Sequence, residues 1–451
     1  MAAYTISHGV TPVIRAEKAP ENKEKKPANL IPKLQWPKSA KPLAIDWEKL
    51  KQERSSIPTA PPKQSISNWP KLHTLLDPMD PSLRSEIIKY GEFCQATYDS
   101  FDFDPLSDYC GSCRYHRSKL FDVLGLQHHG YDVVRYVYAM SHIDVPKWLQ
   151  KVRPMSDVWS HNSNWIGYVA VSNDEETARI GRRDIAVAWR GTVAPSEWYK
   201  DFQSKMQPIR EGSLAKVELG FHNIYTTKSA TTRYNKASAA EQVMEEIKCQ
   251  VTKSRARGEE VGVTITGHSL GGAIALLNAH DVVSSIPDVH TRVVSFGAPR
   301  VGNSAFCEEV SLLGVNVVRV VVEQDIVPKS LGYFLNEETV KGGWVYAHVG
   351  RELKVSAEAS PFLRSGGNLA GFHDLETYLH LVDGYDGLGL GFRKEASRDI
   401  ALVNKNSDML LEELRIPKKW FQFSNKGLVR NTHGRWVMEL REPEDVPVPG
   451  S

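Results

Sequence analysis

No stretch of eighteen consecutive apolar residues occurs in the sequence, which excludes an ordinary transmembrane helix. The longest apolar runs are strand-length, such as Val315 to Val322, and Asn316 and Arg319 interrupt even that one. Cysteine is scarce and odd in number. Cys94, Cys110, Cys113, Cys249 and Cys307 are all there are in 451 residues, which argues against a disulfide scaffold. Cys110-Gly-Ser-Cys113 is a CxxC, yet no second CxxC or nearby His pair completes a zinc site. Nor is it placed at a strand-to-helix turn of the thioredoxin kind. An excess of one charge is missing too: a formal net charge of +2 offers no global attraction for nucleic acid. There is no internal repeat and no apolar core of a secretory signal. What remains is a globular protein, long enough to bury a large core in one or two domains.

Composition changes near residue 64. Residues 1–64 are rich in Pro and Lys, poor in aromatics and without a sustained period, so they read as disordered or loosely attached. The first sixteen, MAAYTISHGVTPVIRA, carry no acidic residue and several hydroxylated or basic ones, a transit-peptide signature that the mixed Lys and Glu past Glu17 dilutes. Residues 65–451 read as a single α/β domain with a C-terminal extension. Helical spacing covers Leu83–Thr97, Thr231–Arg255, Leu270–Ser284 and Ala305–Leu313. Strands are expected at Trp165–Val171, Asp184–Trp189, Val261–Thr266, Thr291–Phe296 and Val315–Val322. Their alternation implies βαβ units and a mainly parallel sheet. From about Arg398 a polar region with scattered aromatics (Trp420, Phe421, Phe423, Trp436) is expected to pack on the domain.

The chemistry gathers around Gly267-His268-Ser269-Leu270-Gly271. A G-x-S-x-G pattern arises by chance roughly one time in seven in a chain of this length, so alone it decides nothing. Its context decides more. An apolar strand precedes it and a helix with small residues, Gly271, Gly272 and Ala273, follows, as a nucleophile elbow requires. A serine needs a base and an orienting carboxylate, and in α/β hydrolases these follow in the order Ser, Asp or Glu, His. The strand Val317–Val322 runs into Glu323-Gln-Asp325-Ile-Val-Pro328, making Asp325 the natural carboxylate and Glu323, still in the strand pattern, its rival. Four histidines lie downstream. His348 falls in an alternating strand pattern and His433 in a polar turn near the tail. His373 and His380 bracket one helix, HDLETYLH, and a spacing of seven puts them on the same face. His373 follows a loop containing Gly366, Gly367 and Gly371 and is the preferred base, with His380 the alternative. Thr192, after the strand Ile185–Trp189 and Gly191, could supply the second oxyanion donor beside the backbone N–H of Leu270. The segment APSEWYKDF that follows is either a surface helix or a mobile lid.

Taken together, WRGT (Trp189–Thr192), GHSLGGA (Gly267–Ala273), FGAPRVGN (Phe296–Asn303), DIVP (Asp325–Pro328) and HDLETYLH (His373–His380) resemble the class 3 lipases, and more closely the plant class I phospholipases A1 of the DAD1-like group. The resemblance spans about Trp69 to Trp436. It implies an α/β-hydrolase fold, a triad of Ser269, Asp325 and His373, an oxyanion hole of Thr192 and Leu270, and a lid around Ala194–Trp198. It also implies hydrolysis of the sn-1 acyl ester of membrane glycerolipids at a bilayer surface, with no metal or organic cofactor. Members of the group mostly carry plastid transit peptides, and some release polyunsaturated fatty acid for jasmonate synthesis. Gly220-Phe221-His222 departs from the family, where an aliphatic residue follows Gly-Phe. Two other functions fit the same motifs: a neutral-glyceride lipase or esterase, and a lipase-like binding or signalling protein with a silent site. Loss of a triad member would favour the last, and each member has a candidate here.

Overall fold

The computed structural model describes residues 75–104, 107–140, 163–192, 205–330, 345–366, 369–422, 428–438 and 440–448. All fall in one compact unit, Lys51–Ser451. The segment 1–64 with its expected transit peptide, and the expected lid at Ala194–Trp198, lie outside the described residues.

Seven strands form the central sheet: β1 (Tyr131–Met140), β2 (Ser163–Ser172), β3 (Arg183–Trp189), β4 (Val261–His268), β5 (His290–Phe296), β6 (Asn316–Val322) and β7 (Arg351–Val355). Their order in the sheet is their order in the chain. The pairs β1–β2 and β2–β3 are antiparallel, and β3 through β7 run parallel. The inner strands β3 and β4 are buried at every position, as parallel strands covered on both faces must be. β1 and β7 are not among the strands expected from sequence. They are the edges of the sheet, and β7 (RELKV) leaves three of its five side chains exposed. Charged edge strands blunt the apolar pattern that reveals a strand.

Two apolar layers sandwich the sheet. On one face, Ala186 and Ala188 of β3, Val294 and Phe296 of β5 and Val318, Val320 and Val322 of β6 pack under α1 (Pro81–Asp99) and a C-terminal helix. On the other, the alternate residues Ile185, Val187 and Trp189, Val263 and Ile265, and Val293 pack against α2 (Ala239–Ala256) and α3 (Leu270–Ser285). Helix α4 (Ser304–Leu312) crosses from β5 to β6, and α5 (Leu375–Gly384) is the C-terminal helix of the first layer.

Two helix boundaries differ from expectation. α2 begins at Ala239 rather than near Thr231, because Ser238 and Glu241 form a reciprocal capping box that fixes its first turn. α5 begins at Leu375, capped by Asp374, whose carboxylate accepts from the Glu376 amide. His373 and His380 therefore do not bracket one helix: His373 lies just before it and His380 within it. In the C-terminal region, Arg441 reaches Asp102 at 2.6 Å, Tyr234 donates to the Pro447 carbonyl at 2.8 Å and the Trp420 indole to Ala401 at 2.7 Å.

Candidate active site

The site lies at the carboxyl ends of the parallel strands, where an open α/β sheet places its ligands. Ser269 is the residue at which β4 turns into α3. It holds φ 57° and ψ −127°, a strained conformation for a residue with a side chain, and the kind of outlier that collects at functional sites. Its amide donates to the Phe296 carbonyl at 2.9 Å. The turn is tight enough that only glycine fits around it. A Cβ on Gly267 would lie 2.2 Å from the Gly271 backbone, and one on Gly271 would lie 2.3 Å from the Trp189 carbonyl. Thus β4, α3 and the end of β3 touch backbone to backbone.

That contact also brings in Thr192. Gly191, at the end of β3, packs against Ser269, where an added Cβ would come within 3.2 Å of the serine Cβ. Thr192 follows directly, and its Oγ1 is buried without a hydrogen-bond partner among the described residues. Leu270 is the first residue of α3, so its amide belongs to the unsatisfied N-terminal set of a sixteen-residue helix. A helix N-terminus therefore begins at the serine, and Thr192 follows the glycine that packs on it, an arrangement suited to a developing negative charge.

Asp325 sits past the end of β6 and is completely buried. Its Oδ2 accepts from His373 Nδ1 at 2.7 Å and from Tyr378 Oη at 2.5 Å, and its Oδ1 from the Val327 amide at 2.9 Å. These bonds fix the imidazole through Nδ1 and leave its other nitrogen free of them. His373 Nε2 is buried and makes no hydrogen bond among the described residues, so the Ser269 hydroxyl is not bonded to it in this structure. Such contacts are often loose in free enzymes and close with substrate. Glu323 is half exposed and paired with Lys354 at 2.6 Å.

The other histidines separate cleanly. His380 Nε2 bonds Ser360 Oγ at 2.8 Å, and its ring packs 5.1 Å from Phe392. Burial pushes its pKa down to about 4. It is a packed core residue. His348 follows the two-residue strand Tyr346–Ala347 instead of lying in it, and burial with two nearby arginines pushes it down to about 3. His433 sits in the exposed turn Asn431–Arg435. His222 shares its helix, Leu219–Thr226, with Phe221 and bonds Thr226.

Three site residues had no role in the sequence reading: His268, Tyr98 and Tyr378. His268 Nε2 faces the His373 carbonyl at 2.8 Å, and only a ring N–H can satisfy a carbonyl. Its Nδ1 must then accept from Tyr98 Oη at 2.7 Å. Burial, and next the charge of His373 4.6 Å away, hold the His268 pKa well below the usual value. His268 thus stays neutral and ties the His373 main chain to α1. Position offered a hint for His268, which adjoins the serine; nothing in the spacing pointed to Tyr98, 170 residues earlier. The CxxC takes no part. Burial raises both thiols, Cys110 to about 11, and Cys113 donates to Tyr136.

Comparison with known proteins places this geometry. A family model described as Lipase (class 3) matches residues 186–334, a span containing Thr192, Ser269 and Asp325. Arabidopsis thaliana proteins named Phospholipase A1-Igamma1, chloroplastic and Phospholipase A1-Igamma2, chloroplastic are 48% and 45% identical to the chain. They cover 81% and 87% of it, and 76% and 78% of their own lengths. A rice protein, Phospholipase A1-II 4, is 39% identical over 86% of this chain and 98% of its own. Among solved structures, a Rhizomucor miehei lipase propeptide complex aligns at 20% identity over 62% of this chain and 69% of its own, with a TM-score of 0.39. With 48% identity over most of both sequences, and the family match across the strands that carry the site, the chain belongs to the class 3 lipase family.

Proposed function

We propose that the chain hydrolyses the sn-1 acyl ester of membrane glycerolipids, phospholipids first and galactolipids by the same chemistry, at the surface of a plastid bilayer. The observation that carries the reading is the bond of 2.7 Å from His373 Nδ1 to the buried Asp325, beside a strained serine. His373 Nε2 takes the Ser269 proton as the hydroxyl attacks the acyl carbonyl. Asp325 stabilises the imidazolium, and Thr192 with the Leu270 amide holds the oxyanion. Collapse expels the lyso-lipid, protonated by His373. Water, activated by the same ring, then releases the fatty acid from Ser269. No step calls for a metal or organic cofactor.

The relatives' names support the activity and the compartment; in this reading residues 1–64 hold the transit peptide and 65–451 the hydrolase domain with its C-terminal extension. The family resemblance extends to fatty-acid supply for jasmonate synthesis. The described helices contain none long and apolar enough to cross a membrane. Each CH₂ of the acyl chain gains about 0.8 kcal/mol on burial, so chain burial dominates binding and head-group contacts set selectivity.

Purified protein on mixed glycerolipid vesicles, with free and lyso products identified, tests this. Ser269→Ala is expected to lower fatty-acid release by several orders of magnitude. His373→Ala is expected to match it, while His380→Ala loses stability and keeps turnover per folded molecule. Undiminished release by Ser269→Ala, or loss of turnover confined to His380→Ala, overturns the assignment. Release from neutral glycerides alone would make the chain a glyceride lipase instead. A cytosolic signal from residues 1–64 fused to a reporter would remove the plastid reading.

A further inference from the structure

The loop that leaves α5, Tyr385–Phe392 (YDGLGLGF), exposes two leucines on a fixed base. Leu388 is 72% and Leu390 63% exposed. A bridge between Tyr385 and Phe392 closes the loop. The Met79 amide donates to the Asp386 carbonyl at 2.9 Å, the Leu388 amide to Asp77 at 3.0 Å, and Arg84 to the Tyr385 carbonyl at 2.7 Å. Phe392 packs beneath, against Phe362 and His380. At the tip, Gly389 and Gly391 hold φ 75° and 80°, and an added Cβ at either would meet nothing within 4 Å. These glycines therefore shape the turn and clear no neighbour. The leucines are held out to solvent by an anchored loop.

Their position gives them a partner. Leu388 lines a cavity of about 390 Å³ together with Glu323, Val355 and Ser356. Those residues lie at or just past the carboxyl ends of β6 and β7. Ser269 follows the carboxyl end of the parallel strand β4, so finger and candidate nucleophile share one end of the sheet. A bilayer that delivers a lipid to Ser269 comes up to that end. Lys394, exposed two residues past the loop, suits an anionic head group.

We propose that Leu388 and Leu390 form a fixed apolar anchor that inserts into the interfacial zone of the substrate bilayer. The proposal rests on the glycerolipid reading above and adds a contact separate from the catalytic groups. Adjacent large apolar side chains left exposed among the described residues suit an interaction surface, and each leucine gains free energy when a bilayer takes it up.

The test uses the full chain and phosphatidylcholine–phosphatidylglycerol vesicles. Leu388→Asp with Leu390→Asp is expected to lower vesicle partitioning and vesicle hydrolysis about 100-fold, roughly tenfold for each leucine. Hydrolysis of a soluble short-chain ester should stay unchanged. In a Ser269→Ala background that leaves lipid intact, the difference spectrum of Leu390→Trp against its parent, which already holds eleven tryptophans, should shift to the blue when vesicles are added, which reads insertion even if the aspartates disturb folding. Unchanged partitioning of the double variant overturns the anchor. So does a tryptophan already blue-shifted without vesicles, since the chain's own segment before Leu75 would then cover it. Vesicle binding without fatty-acid release by the parent protein would remove the proposed activity and leave the anchor standing.

Discussion

At the N-terminal end of β3, Asp184 is buried completely and its two oxygens take four donors: Tyr90 at 2.9 Å and Tyr131 at 3.0 Å on one, Thr264 at 3.0 Å and Arg182 at 3.3 Å on the other. Burial opposes its charge, but Arg182, Lys89 and Arg292 outweigh that and hold the carboxyl below the usual range. At the opposite end of the sheet Asp325 is just as buried, yet one of its donors is an imidazole whose other nitrogen has no partner among the described residues. The first carboxylate is a closed anchor that ties α1, β1, β3 and β4 together. The second opens onto a titratable group able to carry a proton. Burial of a carboxylate does not distinguish the two ends. The nature of its last donor does.

The contrast breaks most sharply in paired variants. Asp325→Asn is expected to reduce kcat by about 10⁴, whereas Asp184→Asn should cost about 3 kcal/mol of stability by unpairing buried cations and keep kcat per folded molecule. Urea unfolding and active-site-normalised kinetics read both. Equal losses of kcat in the two would erase the distinction. A smaller effect sharpens it. Tyr378→Phe removes one neutral donor from Asp325 and should lower kcat about tenfold with KM unchanged, in line with about 1–3 kcal/mol for a buried acceptor left short. A loss expressed only in KM would place Tyr378 in substrate binding.

The smallest effect concerns pH. Burial, with Glu376 nearby, raises Asp374 to about 7. A carboxyl raised in the fold adds stability that is full below its unfolded pKa near 4 and is lost as pH rises through about 7. His380 is lowered, so its contribution is present above about 6.5 and is lost as pH falls through about 4. Asp374→Asn should flatten the alkaline side of the stability profile and His380→Gln the acid side. Urea midpoints across pH 4–8 measure it. Unaltered slopes would mean that neither group titrates between folded and unfolded chains.

Much of this was legible residue by residue. The valine-rich inner strands announce themselves because both faces are covered, so every position is apolar. The elbow is legible because a strained turn admits only small neighbours, and small residues at Gly267, Gly271 and Gly272 are visible as letters. The edge strands β1 and β7 were not, since solvent on one side admits charge. The start of α2 slipped by eight residues because helical spacing continued into Thr231–Ala237, while the Ser238–Glu241 capping box set the boundary.

The sequence by itself determined the order strand, elbow, acid, histidine, because each of those steps is local and writes its own pattern. It favoured His373 over His380 only through the glycine-rich loop before it (Gly366, Gly367, Gly371), since the two stand one heptad apart in an apolar stretch. Only the tertiary structure decided where each ring lies. The residue before the Asp374 cap meets Asp325 at the strand ends, and the one two turns into α5 meets Ser360 and Phe392 in the core. Tyr98 and His268 enter the site for the same reason: packing of α1 across the sheet joins residues 170 positions apart, a distance that no sequence period encodes.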